Sequence, residues 1–165
     1  MPAAVPTPPV PQSVASAGPL KPADVDKYMD GLEGDLRHRL RGVAVARKGE
    51  AIVVTLPDAL LFDAASLKPS GGALLAAVAL ALRRFDHTLV QVNGFTDTRA
   101  DTASALVSTQ KHAELVSAAL AEQGVEPARL SAHGMGAANL RIATGQGVAD
   151  ARNRRVELRI TAKPG

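Results

Sequence analysis

The residues with the clearest capacity for chemistry are Thr96 and Asp97, which follow an apolar stretch at 89–92 and a glycine, Gly94. A carboxylate in this position can bind a cationic group, because charge-assisted hydrogen bonds are among the stronger polar contacts. Ligands of open α/β sheets bind at such places, where a strand ends ahead of a helix. The alternative is a turn or capping role, since Asp also accepts hydrogen bonds from nearby backbone N–H groups.

A strand and a long helix are predicted on either side of Asp97. The Leu and Val residues at 89–92 are typical of a strand, and Gly94 permits the backbone to turn sharply after it. A helix is predicted from about 102 to 123, with Gly124 as its C-terminal stop. Its inner face is predicted to carry Leu106, Ala113, Val116 and Leu120.

Hydrophobic periodicity predicts three elements and one short segment before the central strand. Apolar residues at helical spacing indicate an amphipathic helix at 23–41, and alternation about a glycine turn indicates a hairpin at 43–56. A second helix begins on Pro69, which suits a first helical turn. The three apolar residues at 60–62 indicate a short buried segment between the hairpin and this helix.

Two short strands and a loop are predicted after the long helix. The first strand is expected at 129–132, and a loop with two glycines is expected at 137–151. The last strand, at 154–161, alternates apolar and charged residues, which is the clearest strand signal in the chain. Arg154 and Arg155 are interpreted as outward-facing side chains that keep a terminal edge strand soluble, with ligand binding as the alternative.

Length, charge and composition limit the class of protein. The chain has 165 residues, which favours one domain with a substantial core, and aromatic residues make up only 2% of it. The net charge of +3 favours anionic partners mildly. Nucleic acid is not expected as a partner, because the basic residues are not interleaved with stacking aromatics. The absence of Cys excludes disulfides and thiolate chemistry.

The domain organisation is predicted from the distribution of proline and of apolar residues. Residues 1–22 hold most of the eleven prolines and are expected to be a disordered linker. Residues 23–42 are expected to form an N-terminal helix, and 43–162 the main domain. No apolar run is long enough to span a membrane, and no signal peptide is recognised, so the chain is interpreted as a mature or truncated form.

Eight short motifs lie in order along residues 50 to about 161. They are Val53-Val54-Thr55-Leu56-Pro57, Leu61-Phe62-Asp63, Leu67-Lys68-Pro69, Gly94-Phe95-Thr96-Asp97, Gly124-Val125, Arg129-Leu130, Gly134-Met135-Gly136 and Asn153-Arg154-Arg155-Val156-Glu157. Together they resemble one known family, the OmpA-like C-terminal domains of porin tails, peptidoglycan-associated lipoproteins and flagellar stator proteins. The resemblance implies an α/β (α+β) fold, a β-α-β-α-β sandwich whose helices pack on one face of a mixed sheet, here with an extra N-terminal helix.

The resemblance implies non-covalent binding of peptidoglycan in the periplasm by a protein tethered to the outer membrane. The family's ligand is the diaminopimelate of the stem peptide, and its zwitterionic end needs an anion for the ammonium and a cation for the carboxylate. The family's anion corresponds to Asp97. The expected ligand-binding residues are Phe95, Thr96, Asp97, Arg99, His112, Asn153 and Arg154.

The sequence departs from the family pattern at the site. The family's cationic Arg lies fifteen residues after the Asp, where this chain has His112 followed by the expected Ala113. A histidine does not reproduce the planar fork of an Arg, and it carries a positive charge only when protonated. Arg99 is the better alternative cation and Lys111 the poorer. Two further departures are Ala105 in place of Asn, and Ala149-Asp150 in place of Gly-Arg.

Two other classes of function remain open. A degenerate module could have lost peptidoglycan and serve as a protein-interaction or scaffold domain of an envelope complex, with the helix at 23–41 as its docking surface. An enzyme would need Asp97, His112 and Ser108 as a triad, but Ser108 lacks a nucleophile elbow. The four histidines show no metal-ligand spacing, so neither a metal nor another cofactor is expected.

Overall fold

The computed structural model of the chain describes residues 20–63 and 66–163. Residues 1–19 of the predicted linker lie outside this range. The helices are α1 (Val25–Arg39), α2 (Asp58–Leu61), α3 (Pro69–Arg84) and α4 (Thr102–Glu122). The strands are β1 (Ala44–Lys48), β2 (Ala51–Pro57), β3 (Phe62–Asp63), β4 (Ser66–Leu67), β5 (Thr88–Phe95), β6 (Leu130–Gly134) and β7 (Arg155–Ala162). Single 3-10 turns lie at Pro22–Asp24, Pro127–Arg129 and Ala151–Asn153.

Five of these strands form one mixed sheet in the order β1-β2-β7-β5-β6. β5 and β6 are parallel and are connected through α4, whereas the other neighbouring strands are antiparallel. β3 and β4 form a separate two-stranded ribbon. The predicted order of elements and the mixed α+β sheet are confirmed.

The core lies between the sheet and the three long helices. Alternate residues of β7, namely Val156, Leu158 and Ile160, are fully buried, as their spacing predicts. α1 contributes Tyr28, Met29, Leu32 and Leu36 to the same hydrophobic cluster. The apolar face of α1 is therefore covered by its own domain and is not a free docking surface.

The prediction that Leu106 lies on the inner face of α4 is wrong, because its side chain is 44% exposed. Ala105 and Thr109 occupy the inner face instead. The helix packs against glycine backbone: a Cβ at Gly94 would lie 2.4 Å from the Thr109 carbonyl oxygen, and one at Gly134 would lie 2.7 Å from that of Leu106. This close approach leaves room only for small inward side chains.

The prediction of an outward-facing Arg155 on an edge strand is also wrong. β7 lies in the middle of the sheet, between β2 and β5, and Arg155 is only 4% exposed. Its guanidinium lies 4.3 Å from the centroid of the Phe95 ring and donates to the backbone oxygens of Asn139 and Asn153. These contacts satisfy the Nη1 and Nη2 atoms of the buried guanidinium, whereas its Nε has no hydrogen-bond partner within residues 20–63 and 66–163.

The predicted buried segment at 60–62 is correct only in part. Leu61 and Phe62 are buried, but Leu60 is 40% exposed. The reason is that α2 makes a single helical turn here, so successive side chains do not point to the same side.

Candidate functional site

The directions of three strands bring the polar residues together at one edge of the sheet. β2 and β5 both run antiparallel to β7, so they run parallel to each other and end at the same edge. Pro57 and Phe95, the last residues of these strands, both pair with Arg155. Asp58 and Asp97 follow the ends of β2 and β5, and Arg154 precedes β7, so all three lie at this edge.

Asp97 is the most highly connected side chain at this edge, and it is 1% exposed. Its Oδ1 accepts from the backbone N–H of Arg99 at 3.2 Å and lies 3.5 Å from the Arg99 Nε. Its Oδ2 accepts from the backbone N–H of Asp150 at 3.0 Å and from the Arg154 guanidinium at 2.5 Å. The helix cap of α4 is a different residue, Asp101, whose carboxylate accepts from the Ser104 N–H.

These contacts hold Asp97 in its charged form. Burial alone would raise the pKa of the carboxyl group, but the N–H groups of Asp150 and Arg99 and the Arg154 guanidinium outweigh it and lower the pKa below 3.8. The charged carboxylate therefore joins the turn after β5 to two points of the segment before β7, the backbone of Asp150 and the side chain of Arg154.

Thr98 fixes the long loop beside Asp97. Its hydroxyl lies 2.6 Å from the carbonyl oxygen of Gly145 and accepts from the backbone N–H of Val148 at 3.0 Å. Its own carbonyl oxygen accepts from the Gly147 N–H. The loop at 137–151 is therefore held against the end of β5, which positions the Asp150 N–H for Asp97.

Asp150 itself is engaged by a neighbour. The Arg152 side chain donates to its carboxylate at 2.7 and 3.0 Å, and this pairing holds the pKa of Asp150 at about 2. The family pattern has Arg at this position. Asp97 uses only the backbone N–H of residue 150, so the change of side chain leaves that hydrogen bond intact.

A cleft of about 320 Å³ opens next to Asp97. Its walls combine two guanidinium groups, one carboxylate, one imidazole and one aromatic ring. The residues that line it are Asp58, Ala59, Phe62, Arg99, His112, Ala151 and Arg154. Both signs of charge therefore border a single small space.

His112 is held on one wall of this cleft by two contacts. Its ring stacks on Phe62, with centroids 4.3 Å apart and an angle of 17° between the planes. Its Nδ1 lies 3.4 Å from Oδ2 of Asp58. The imidazole pairs with Asp58, and Asp97 pairs with Arg154, so Asp97 and His112 do not pair with each other as a triad of Asp97, His112 and Ser108 would require.

The other predicted site residues have contacts within the fold. Phe95 is 4% exposed beneath Arg155, and the Thr96 N–H donates to the carbonyl oxygen of Gly136. Asn153 is fully buried, and its side-chain amide makes two hydrogen bonds with the backbone of Ile142. The cleft is lined by three of the seven predicted residues: Arg99, His112 and Arg154.

Asp58 and Phe62 are cleft residues that the sequence did not point to as ligand contacts. Phe62 belongs to one of the motifs that the chain shares with the family, but no ligand contact was predicted for it. Asp58 follows Pro57, and only the parallel directions of β2 and β5 reveal that it lies near Asp97. Thr98 was also missed, because its role depends on a loop some fifty residues later in the chain.

A second, larger hollow of about 1050 Å³ borders the exposed side of α4. It includes Val107, whose side chain is 59% exposed, and Leu115. Arg99 and His112 line both this hollow and the smaller cleft. Within residues 20–63 and 66–163, no group of acidic and histidine side chains could hold a metal ion. In the same ranges, no helix has the length and apolar character needed to cross a membrane.

The chain belongs to the OmpA family, whose model matches residues 61–154. It is 36% identical over 141 residues to the probable lipoprotein YiaD of Escherichia coli (strain K12). That match covers 83% of this chain and 64% of the relative, so the chain spans less than two thirds of that protein's length.

Two solved structures with a similar fold are named as a peptidoglycan-associated protein and a cell wall anchor. The peptidoglycan-associated lipoprotein from Burkholderia pseudomallei is 28% identical, with a TM-score of 0.56 over 65% of this chain and 89% of that one. The cell wall anchor of the T6SS from Pseudomonas aeruginosa is 25% identical, with a TM-score of 0.65 over 84% of this chain and 97% of that one.

Proposed function

We propose that this chain binds peptidoglycan non-covalently in the periplasm, through the diaminopimelate of the stem peptide, and ties an outer-membrane or other envelope protein to the cell wall. Membership of the OmpA family supports a role at the cell wall. The names of its relatives, a lipoprotein, a peptidoglycan-associated lipoprotein and a cell wall anchor, support the same location and a binding role rather than catalysis.

The observation that carries the proposal is the small cleft of mixed charge beside Asp97. A diaminopimelate side chain ends in an ammonium and a carboxylate on one carbon, so its site must offer both an anion and a cation. The cleft offers the Asp58 carboxylate together with the Arg99 and Arg154 guanidinium groups. The Phe62–His112 stack adds a flat, partly apolar wall for the aliphatic carbons of the ligand.

The substitution of His112 for the family's Arg weakens this site without removing its positive charge. Arg99 and Arg154 remain as permanent cations at the cleft. The variant His112→Arg restores a fork that matches a carboxylate. We expect it to bind muropeptide up to about tenfold more tightly than wild type, a change equivalent to about 1.4 kcal/mol. Fluorescence or calorimetric titration measures the difference, and weaker binding by His112→Arg would contradict this assignment of position 112.

A protein-interaction or scaffold domain of an envelope complex is the second candidate function, and exposed apolar residues on α4 favour it. Leu106 and Val107 are 44% and 59% exposed on a helix that borders the larger hollow. A module of this kind would bind another envelope protein through α4 and would not bind the cell wall.

Sedimentation with purified sacculi separates these functions. If the proposal is correct, the full chain sediments with sacculi that contain diaminopimelate, and no muropeptides appear in the supernatant. The variant Arg159→Gln removes one exposed positive charge on the central strand away from the cleft, and it should sediment as the wild type does. A chain that stays in the supernatant supports the scaffold, and release of soluble fragments indicates an enzyme.

A further inference from the structure

We propose that the outer face of α4 binds a second copy of this chain, with the two α4 helices packed antiparallel about a twofold axis. The outer face is the exposed row of residues Ala103, Ser104, Val107, Lys111, Glu114 and Ala118. This inference concerns a surface beside the smaller cleft and does not rest on the proposed function.

The outer face of α4 is apolar near its middle and open. Val107 is the most exposed large apolar side chain in residues 20–63 and 66–163. It borders the hollow of about 1050 Å³, which is lined, among the residues that the structure describes, by side chains of α4 and by Arg99. The opposite face of the helix packs on β5 and β6. The hollow is therefore a space that another helix can fill.

The charges at the centre of this face are of opposite sign. Lys111 and Glu114 are both exposed and both line the hollow. They are three residues apart, so they occupy neighbouring positions on the helix surface. A twofold interface uses the same patch on both copies. A patch with one cation beside one anion can be complementary to itself, which favours a second copy of the chain as the occupant.

The same charges select the antiparallel orientation. In a parallel, in-register packing, each Lys111 would face Lys111 of the other copy and each Glu114 would face Glu114, which is unfavourable. A twofold axis beside residues 112 and 113 places Lys111 of each copy opposite Glu114 of the other. The same offset places Val107 opposite Ala118. Two ion pairs then flank the axis, with apolar contacts outside them.

The ends of the helix fit this arrangement as well. The offset places the exposed Glu122, at the last position of α4, opposite Ala103 in the first turn of the other copy. A helix N-terminus carries a partial positive charge that attracts a carboxylate. The first turn of α4 has no acidic side chain of its own that would repel Glu122 of the other copy.

The size of the face limits the strength of the dimer. α4 has 21 residues and is therefore about 31 Å long. One helix face of this length buries a few hundred Å² on each copy, less than the ~800 Å² per partner of a standard stable interface. We therefore expect a weak and reversible dimer that forms at high protein concentration.

Sedimentation equilibrium of the full chain from about 1 µM to about 1 mM tests for this dimer. We expect the average mass to rise with concentration from that of the 17.0 kDa monomer towards that of a dimer. The association should weaken as NaCl is added, because exposed ion pairs are screened by salt.

A pair of charge-reversal variants tests the antiparallel contact itself. Lys111→Glu and Glu114→Lys should each raise the dissociation constant of the homodimer roughly tenfold, because like charges then meet at the axis. An equimolar mixture of the two variants should associate again, since each position of one variant faces the opposite charge of the other. The control is Lys27→Glu, which makes the same change at an exposed position of α1 and should associate as the wild type does. Circular dichroism checks that all three variants are folded.

The outcomes are distinguishable from those of the proposed function. Lys111 and Glu114 do not line the smaller cleft, so both variants should still sediment with sacculi if the wild type does. A wild-type chain that remains monomeric at every concentration would overturn the inference and leave the α4 face to a different partner. Association of both single variants as tight as that of the wild type, or a mixture that associates no better than either variant alone, would also overturn it.

Discussion

Replacing Asp97 with Asn tests whether this carboxylate supports the fold as well as the cleft. The change keeps the shape of the side chain but removes its charge and replaces one acceptor oxygen with an NH₂ donor. In the structure both oxygens of Asp97 face donors: the N–H groups of Arg99 and Asp150 and the guanidinium of Arg154. Whichever way the amide is oriented, its NH₂ group must meet at least one of these donors.

The magnitude follows from the buried position of these contacts. The variant loses a charge-assisted hydrogen bond to Arg154 and leaves at least one backbone N–H without an acceptor. We expect the free energy of unfolding to fall by about 2–4 kcal/mol at neutral pH. For a domain of this size, that corresponds to a decrease in Tm of roughly 4–16 °C.

The pH dependence gives this prediction a second, independent signature. The pKa of Asp97 is lower in the folded chain than its ordinary value of 3.8, because donors and guanidinium groups outweigh the effect of burial. The charged carboxylate therefore stabilises the fold above about pH 4, and this stabilisation is lost as the pH falls through the folded pKa. The difference between wild type and Asp97→Asn should be constant from pH 6 to 8 and should shrink below pH 4.

Calorimetric and circular-dichroism melting of wild type, Asp97→Asn and Asp63→Asn between pH 3 and 8 measures both signatures. Asp63 is an exposed carboxylate on the small ribbon, so its variant controls for the loss of one negative charge. An Asp97→Asn protein that melts within a degree of wild type at pH 7 would refute the structural role. Asp97 would then be free to bind the ligand directly.

The close packing and the buried polar contacts give three further predictions, each measured by urea unfolding. Gly94→Ala should lower the free energy of unfolding by about 1–3 kcal/mol, because its Cβ would lie 2.4 Å from the Thr109 oxygen. Gly34→Ala, in α1 with nothing within 4 Å of the new Cβ, should raise it by about 0.5–1 kcal/mol. Arg129→Gln should lower it by about 2–4 kcal/mol, since the buried guanidinium donates to three backbone carbonyls and a hydroxyl. An unchanged free energy of unfolding for Gly94→Ala or Arg129→Gln, or a lower one for Gly34→Ala, would contradict the packing described.

The order of the main elements could be predicted because their periodicities are local. The alternation in β7 and the helical spacing in α1 and α4 each reflect one buried face. The position of β7 within the sheet is not local information. A strand in which every second residue is charged can lie at the edge of a sheet or at its centre. Only the contacts of Arg155 with the Phe95 ring and the neighbouring backbone show why a charged side chain is buried in β7.

The site was predictable only in part, for the same reason. Asp97 follows a strand and precedes a helix, and this local arrangement draws attention to it. Asp58 has no such local signal. It lies at the cleft because β2 and β5 both pair with β7 and therefore end at the same edge of the sheet. Asn153 was expected to contact the ligand, whereas its amide holds Ile142 within the fold. A motif in the sequence does not distinguish a residue that touches a ligand from one that shapes the loop around it.

Competition for sacculus binding shows directly whether the chain recognises the diaminopimelate of peptidoglycan. The full chain is first bound to sacculi that contain diaminopimelate, and soluble muropeptides are then added before sedimentation. We expect that the diaminopimelate muropeptide releases the chain into the supernatant and that the form with lysine in its place, at the same concentration, does not. Failure of the chain to sediment with sacculi, or equal release by the two muropeptides, would contradict it.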